Sequence, residues 1–170
     1  KSQLLAGPAA GQEGRGGKLT PPVFIERLDP ADGALIQSKI EEYEAAIRDE
    51  PLENAYVILE DGKVYRITGG KESVYPEVLA KALKGAVLTH NHPRGSANEH
   101  SFSAEDLNFF RDFGLKQLRG VDEAYVYELD RSSESVDLPI PLFRIDTRAT
   151  GSAIRPFARR RVAGSHHEKV

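Results

Sequence analysis

The segment Asn54-Ala-Tyr-Val-Ile-Leu-Glu-Asp-Gly-Lys-Val-Tyr-Arg-Ile-Thr68 decides the fold class. Residues 54–60 form an apolar run of strand length. Asp61-Gly62 then supplies the left-handed backbone that a tight hairpin turn demands, and Val64 to Thr68 reads as the returning strand. Gly69-Gly70 closes the unit.

On its amino-terminal side, Asp29-Pro30 offers a helix start. Ile36, Ile40, Tyr43 and Ile47 follow at spacings of four, three and four, one stripe of a helix that Pro51 ends. On the carboxyl side, Tyr75 to Leu83 sets Val78, Leu79, Ala82 and Leu83 on one side of a short helix stopped by Gly85. Ala86-Val-Leu-Thr-His90 reads as a third strand, Ser103 to Phe113 as a helix with Leu107, Phe110 and Phe113 inward, and Ala124 to Leu129 as a fourth strand. The expected domain is α/β in the broad sense (α+β), a small mixed β-sheet flanked by helices over residues 23–130. Residues 1–22, rich in Gly, Ala, Lys and Pro, read as a flexible leader or linker. Residues 131–170, with Ser132-Ser133-Glu134-Ser135 and Arg159-Arg160-Arg161, read as an extended basic tail.

Composition narrows the chemistry. With 170 residues, 39% of them hydrophobic, one folded core is within reach. Twenty-three Lys and Arg against 26 Asp and Glu give a net charge of -3, the wrong balance for a bulk grip on nucleic acid. No run approaches the ~20 apolar residues of a membrane span. Cysteine is absent, so any metal must be held by imidazole and carboxylate. Methionine is also absent and the first residue is lysine, so a piece of a longer protein is expected.

The chemistry centres on Thr89-His90-Asn91-His92-Pro93 at the end of the third strand. Residues two apart on a strand share a face, so both imidazoles can reach one ion at ~2.1 Å. A catalytic zinc needs a third protein ligand and a water. Asp106, in the first turn of the next helix and fourteen residues after His92, is the best candidate. That ligand set favours Zn2+, although iron also uses it. Each piece has a plain structural alternative: His-x-His pairs are common, and Ser103 with an acidic residue three later is an ordinary capping box.

His90-Asn91-His92-Pro93 and Ser103-Ala104-Glu105-Asp106 together resemble the JAB/MPN (JAMM) metalloprotease signature, in the His-Asn-His-Pro form found in RadC-like proteins. The resemblance covers roughly residues 50–130. It departs from the signature in spacing, because ten residues (Pro93 to Phe102) separate His92 from Ser103 where the family has seven. The resemblance implies a cytidine-deaminase-like three-layer architecture with zinc on His90, His92 and Asp106. It also implies that Ser103 steadies the oxyanion and an upstream glutamate acts as general base. Glu53 and Glu60 compete for that last role, and they stand about 23 Å apart along a strand at ~3.3 Å per residue. Glu53, just before the apolar strand, fits the family's order, whereas Glu60 reads as a solvated hairpin charge. The implied partner is a protein or peptide, including ubiquitin-like conjugates, cleaved at an amide. Nucleic acid and membrane are not expected partners.

A looser resemblance, to domains appended to phage Mu F-type head-morphogenesis proteins and to polymorphic toxins, implies a bacterial or phage-encoded protein, cytoplasmic or a secreted effector. The rival reading is a metal-free JAB-like binding or scaffold module. Elsewhere, His100 reads as a mobile loop histidine, and His166 and His167 as tail residues. Phe109 and Phe110 read as core, and Tyr125 and Tyr127 as sharing one sheet face.

Overall fold

Alternating burial along the strands builds a sheet with a separate core on each face. The computed structural model describes residues 21–71, 73–97, 99–131, 142–144 and 156–161. Its strands run β1 (Val23–Arg27), β2 (Asn54–Ile58), β3 (Lys63–Thr68), β4 (Val87–Asn91), β5 (Gln117–Val121), β6 (Tyr125–Asp130), β7 (Leu142–Arg144) and β8 (Pro156–Arg161). They form one sheet in the order β1-β3-β2-β4-β5-β6-β8-β7. Neighbours are antiparallel except the central pair β4 and β5, which is parallel. The helices are α1 (Gly33–Ile47) and α2 (Ala104–Asp112), with a 3₁₀ segment at Pro76–Leu83.

Period-two alternation sorts the strand residues between the two cores. Ala55, Val57, Leu88, Leu118 and Tyr127 face the side of α2 and the 3₁₀ segment, together with Leu79, Leu83 and Phe110. Tyr56, Ile58, Val121 and Val126 face α1 and its stripe of Ile40, Tyr43 and Ile47. Helices on both faces of a mixed sheet make this an α+β fold in three layers.

The expected hairpin forms as read. Gly62 has φ 91°, and a side chain there would strike the Leu28 carbonyl. Helix α1 starts at Asp32, whose carboxylate accepts from the Leu35 N–H at 3.0 Å, and not at Asp29. The segment expected as a regular helix at 75–83 is instead 3₁₀ and breaks at Ala80, where φ is 44°. Leu79 and Leu83 point inward there, while the Val78 side chain lies outside the described set.

Strands β1 and β5 were not anticipated. Strand β1 lies at an edge with Val23 and Phe24 more than half exposed, so no alternation marks it. Strand β5 carries an arginine and a glycine in its interior. The described parts of the expected tail are strands that extend the sheet past residue 130, β8 pairing with β6 and β7 with β8. Residues 1–20, Ser132 to Ser135, His166 and His167 lie outside the described residues.

On the α1 face, Arg119 of β5 is fully buried and its Nε donates to Glu44 Oε1 at 2.5 Å. Thr89 Oγ1 donates to the same oxygen at 3.0 Å, and Arg119 Nη1 donates to Glu128 Oε2 at 2.5 Å. These bonds tie α1 to the two central strands beneath the functional site.

Candidate metal centre

The site forms at the carboxyl end of β4, where the chain leaves the sheet before crossing through α2 to the parallel strand β5. Openings of this kind, outside the carboxyl ends of parallel strands, are where open α/β sheets hold ligands. One row of residues crosses four strands: Ala55 on β2 faces His90 on β4, His90 faces Gly120 on β5, and Gly120 faces Tyr127 on β6. The small flanking residues make room for the imidazole. A Cβ on Gly120 would fall inside the Tyr127 ring, so only glycine lets that ring lie across the strand.

His90, His92 and Asp106 converge as expected. The two Nε2 atoms are 3.0 Å apart, His90 Nε2 is 3.2 Å from Asp106 Oδ1, and His92 Nε2 is 3.3 Å from Asp106 Oδ2. Among the described residues this group offers ligand atoms all within 4.8 Å of one another. Tetrahedral zinc with bonds of 2.0–2.1 Å sets its ligand atoms about 3.3 Å apart, so the triangle fits that ion.

Protonation strengthens the fit. His90 Nδ1 lies 2.8 Å from the Arg119 carbonyl, which can only accept, so Nδ1 carries the proton and a lone pair sits on Nε2. That lone pair points at a carboxylate from a buried ring, and the arrangement calls for positive charge between them. A metal ion supplies it, as does a second proton on His90. Burial is the largest single influence and opposes that second proton, but the Asp106 charge and the hydrogen bonds to Asp106 and the Arg119 carbonyl together outweigh it and raise the His90 pKa. For Asp106, burial opposes ionisation, yet the imidazoles of His90 and His92 hold its carboxyl well below the usual range.

The surrounding bonds fix each ligand. His92 Nδ1 is 2.8 Å from the Tyr127 hydroxyl, on a ring that is fully buried and packs edge-on against Phe102. Burial, then the charges of Asp122, Asp106 and Glu53, push the Tyr127 pKa well up, so the phenol stays neutral. Asp106 occupies the third position of α2 in a capping box. Ser103 N–H donates to Asp106 Oδ2 at 2.8 Å, and Asp106 N–H donates to Ser103 Oγ at 3.0 Å. The carboxylate that caps α2 is thus also the one that completes a group able to hold a metal ion, at a helix end that favours negative charge.

A cleft of about 580 Å³ opens on the triad. Ser103 and Glu53 line it with His90, His92 and Asp106, so all five expected residues meet in one place. Glu53 is nearly buried, and its position fits a register in which Ala55 already faces His90. Glu60 is exposed at the far end of β2 beside Gly85, away from the cleft. Phe110 is core as expected, whereas Phe109 is only partly buried and forms part of the cleft wall with Phe113.

The ten residues between His92 and Ser103 leave Asp106 within reach of both rings. Turns at Pro93–Ser96 and Ser96–Glu99 take up their length. His100, expected as a mobile loop residue, is anchored: its N–H and its Nδ1 lie 2.7 and 3.0 Å from Asp122 Oδ2. Asp122 is fully buried and also accepts from the N–H groups of Ala124 and Tyr125. His100 therefore faces Asp122 and Tyr125, and it does not line the cleft.

Sequence reading missed the roles of Tyr127, the Arg119 carbonyl, Gly120 and Asn91. The one usable signal was the glycine inside an apolar strand context, which marks a close approach.

Fold and site together define an α+β protein with two buried histidines and a half-buried aspartate clustered at the mouth of its central parallel strand pair. No family model, no curated protein and no solved structure matches this chain. Among the described residues, no helix is long and apolar enough to cross a membrane.

Proposed function

We propose that the chain is a zinc-dependent amide hydrolase of the JAB/MPN type, a metallopeptidase or isopeptidase. One observation carries this reading. The Arg119 carbonyl fixes the His90 tautomer so that its lone pair, the second imidazole and the Asp106 carboxylate all face one point inside an open cleft.

His90, His92 and Asp106 would hold a zinc ion, which when bound would acidify a water to a pKa of ~7 and act as a Lewis acid toward a carbonyl. The chain's own groups do the rest. Glu53, nearly buried on the cleft wall, accepts the proton of the attacking water and returns it to the leaving amine. Ser103 Oγ already accepts from the Asp106 N–H, which leaves its proton to donate to the carbonyl oxygen as charge develops. The wall of Val74, Tyr75, Pro76, Phe109 and Phe113 gives the substrate chain an apolar surface to lie against.

Among the described residues, the cleft lining includes Glu53, Glu77, Glu105, Asp106 and Asp112 and no lysine or arginine. That charge favours a peptide or isopeptide, ubiquitin-like conjugates included, and repels a phosphodiester backbone. Metal analysis together with cleavage assays on peptides, ubiquitin-like conjugates and DNA tests the reading. One zinc per chain, lost in His92→Ala, is expected, with amide cleavage abolished in Glu53→Ala while zinc is retained. A chain that binds no zinc after purification without chelators refutes it.

A further inference from the structure

The residue between the two histidines faces away from the metal position, and its bonds lead to the proposed general base. The β2–β4 ladder ends at Ala55 and His90. Beyond that point the Asn91 side chain continues the connection. Its Oδ1 accepts from the Asn54 N–H at 2.6 Å, and its Nδ2 donates to the Leu52 carbonyl at 3.0 Å and the Glu50 carbonyl at 3.2 Å. Asn91 is wholly buried.

These contacts enclose Glu53. Four backbone polar groups flank its Cα, and all four are bonded. The Glu53 N–H donates to the Gly70 carbonyl and the Glu53 carbonyl accepts from the Gly69 N–H, each at 2.7 Å. The Leu52 carbonyl and the Asn54 N–H are the two that Asn91 holds. Asn91 thus fixes both peptide planes of Glu53 from a site covalently between the two imidazoles.

We infer that Asn91 is a positioning residue that sets the placement of the Glu53 carboxylate relative to the metal centre. The inference rests on the proposed role of Glu53. Side-chain chemistry explains the choice of residue: the position needs one acceptor and two donor hydrogens at a fixed reach. Aspartate keeps the acceptor and loses the donors, serine is too short, and glutamine is one methylene longer. A misplacement of about 1 Å in such a group costs on the order of 100-fold in rate.

The test uses the zinc-loaded full chain with Asn91→Ser, and with Asn91→Asp in case the serine variant folds poorly. Each is made alone and combined with Glu53→Gln. Both single variants are expected to retain one zinc per chain. The turnover number of Asn91→Ser on a peptide amide should fall on the order of 100-fold with KM little changed, and Asn91→Asp, which turns a carboxylate oxygen toward the Leu52 and Glu50 carbonyls, should fall at least as far. In the Glu53→Gln background neither substitution should cost more, because groups acting as one unit are not additive. A loss that multiplies with that of Glu53→Gln, or full turnover in both Asn91 variants, overturns the inference.

A second readout needs no turnover. Zinc loading should displace the carbon-13 titration of the Glu53 carboxyl in the native chain, and Asn91→Ser should diminish that displacement. An undiminished displacement overturns the positioning role. A diminished one in a chain that cleaves no amide sustains the role and removes only the hydrolase reading.

Discussion

Replacing Tyr127 by phenylalanine isolates one contact behind the His-His-Asp cluster. When His92 Nε2 binds a metal, Nδ1 must carry its proton, and the acceptor 2.8 Å away is the Tyr127 hydroxyl. That phenol is neutral because burial, reinforced by nearby carboxylates, raises its pKa. The ring itself lies over Gly120 and against Phe102, so phenylalanine fills the same space and only the oxygen is lost.

The exposed cost is a buried N–H without a partner, about 1–3 kcal/mol. Loss of such an outer partner lowers metal affinity about 10–100-fold. The two magnitudes agree, since that range of affinity corresponds to roughly 1.4–2.7 kcal/mol. Competition for zinc against a chromogenic chelator at fixed pH reads the change directly, and thermal melting of the metal-free protein confirms that the fold persists. Zinc affinity within twofold of the native chain would refute the reasoning, for it would mean that His92 does not bind through Nε2 with its Nδ1 proton on Tyr127.

Two further predictions concern pH and the buried ion pair. In the metal-free protein the raised His90 pKa contributes stability below its ordinary 6.5, lost as pH rises through the folded value. The lowered Asp106 pKa contributes stability above 3.8, lost only as pH falls through its depressed folded value. Metal-free melting temperature should therefore decline as pH rises above the ordinary 6.5 and through the raised His90 value, while the stabilisation by added zinc grows as His90 gives up its competing proton. A zinc effect that shrinks with rising pH would contradict this. Glu44→Ala leaves the Arg119 guanidinium, 1% exposed, with Glu128 alone, and urea unfolding should show a loss of about 3–5 kcal/mol. A loss below about 1 kcal/mol would show that water reaches the pair.

Local physics made much of this protein legible in its sequence. Turn chemistry fixed the Asp61-Gly62 hairpin because few residues tolerate φ near 91°. The stripe Ile36, Ile40, Tyr43, Ile47 marked α1, and the parity of a strand placed His90 and His92 on one face. The capping box placed Asp106 in the first turn of α2.

What stayed hidden depends on partners distant in the chain. Strand β5 looks unlike a buried strand because Arg119 and Gly120 serve other elements: one pairs with Glu44, 75 residues away, and the other clears space for Tyr127. Edge strand β1 buries too little to leave a pattern. The sequence alone determined which side chains can ligate a metal, since residue type and strand period settle that. Only tertiary structure decided which nitrogen of each ring faces it and which glutamate stands beside it. Tautomer and proximity are set by a carbonyl, a phenol and an amide brought in from other strands, and no local spacing encodes them.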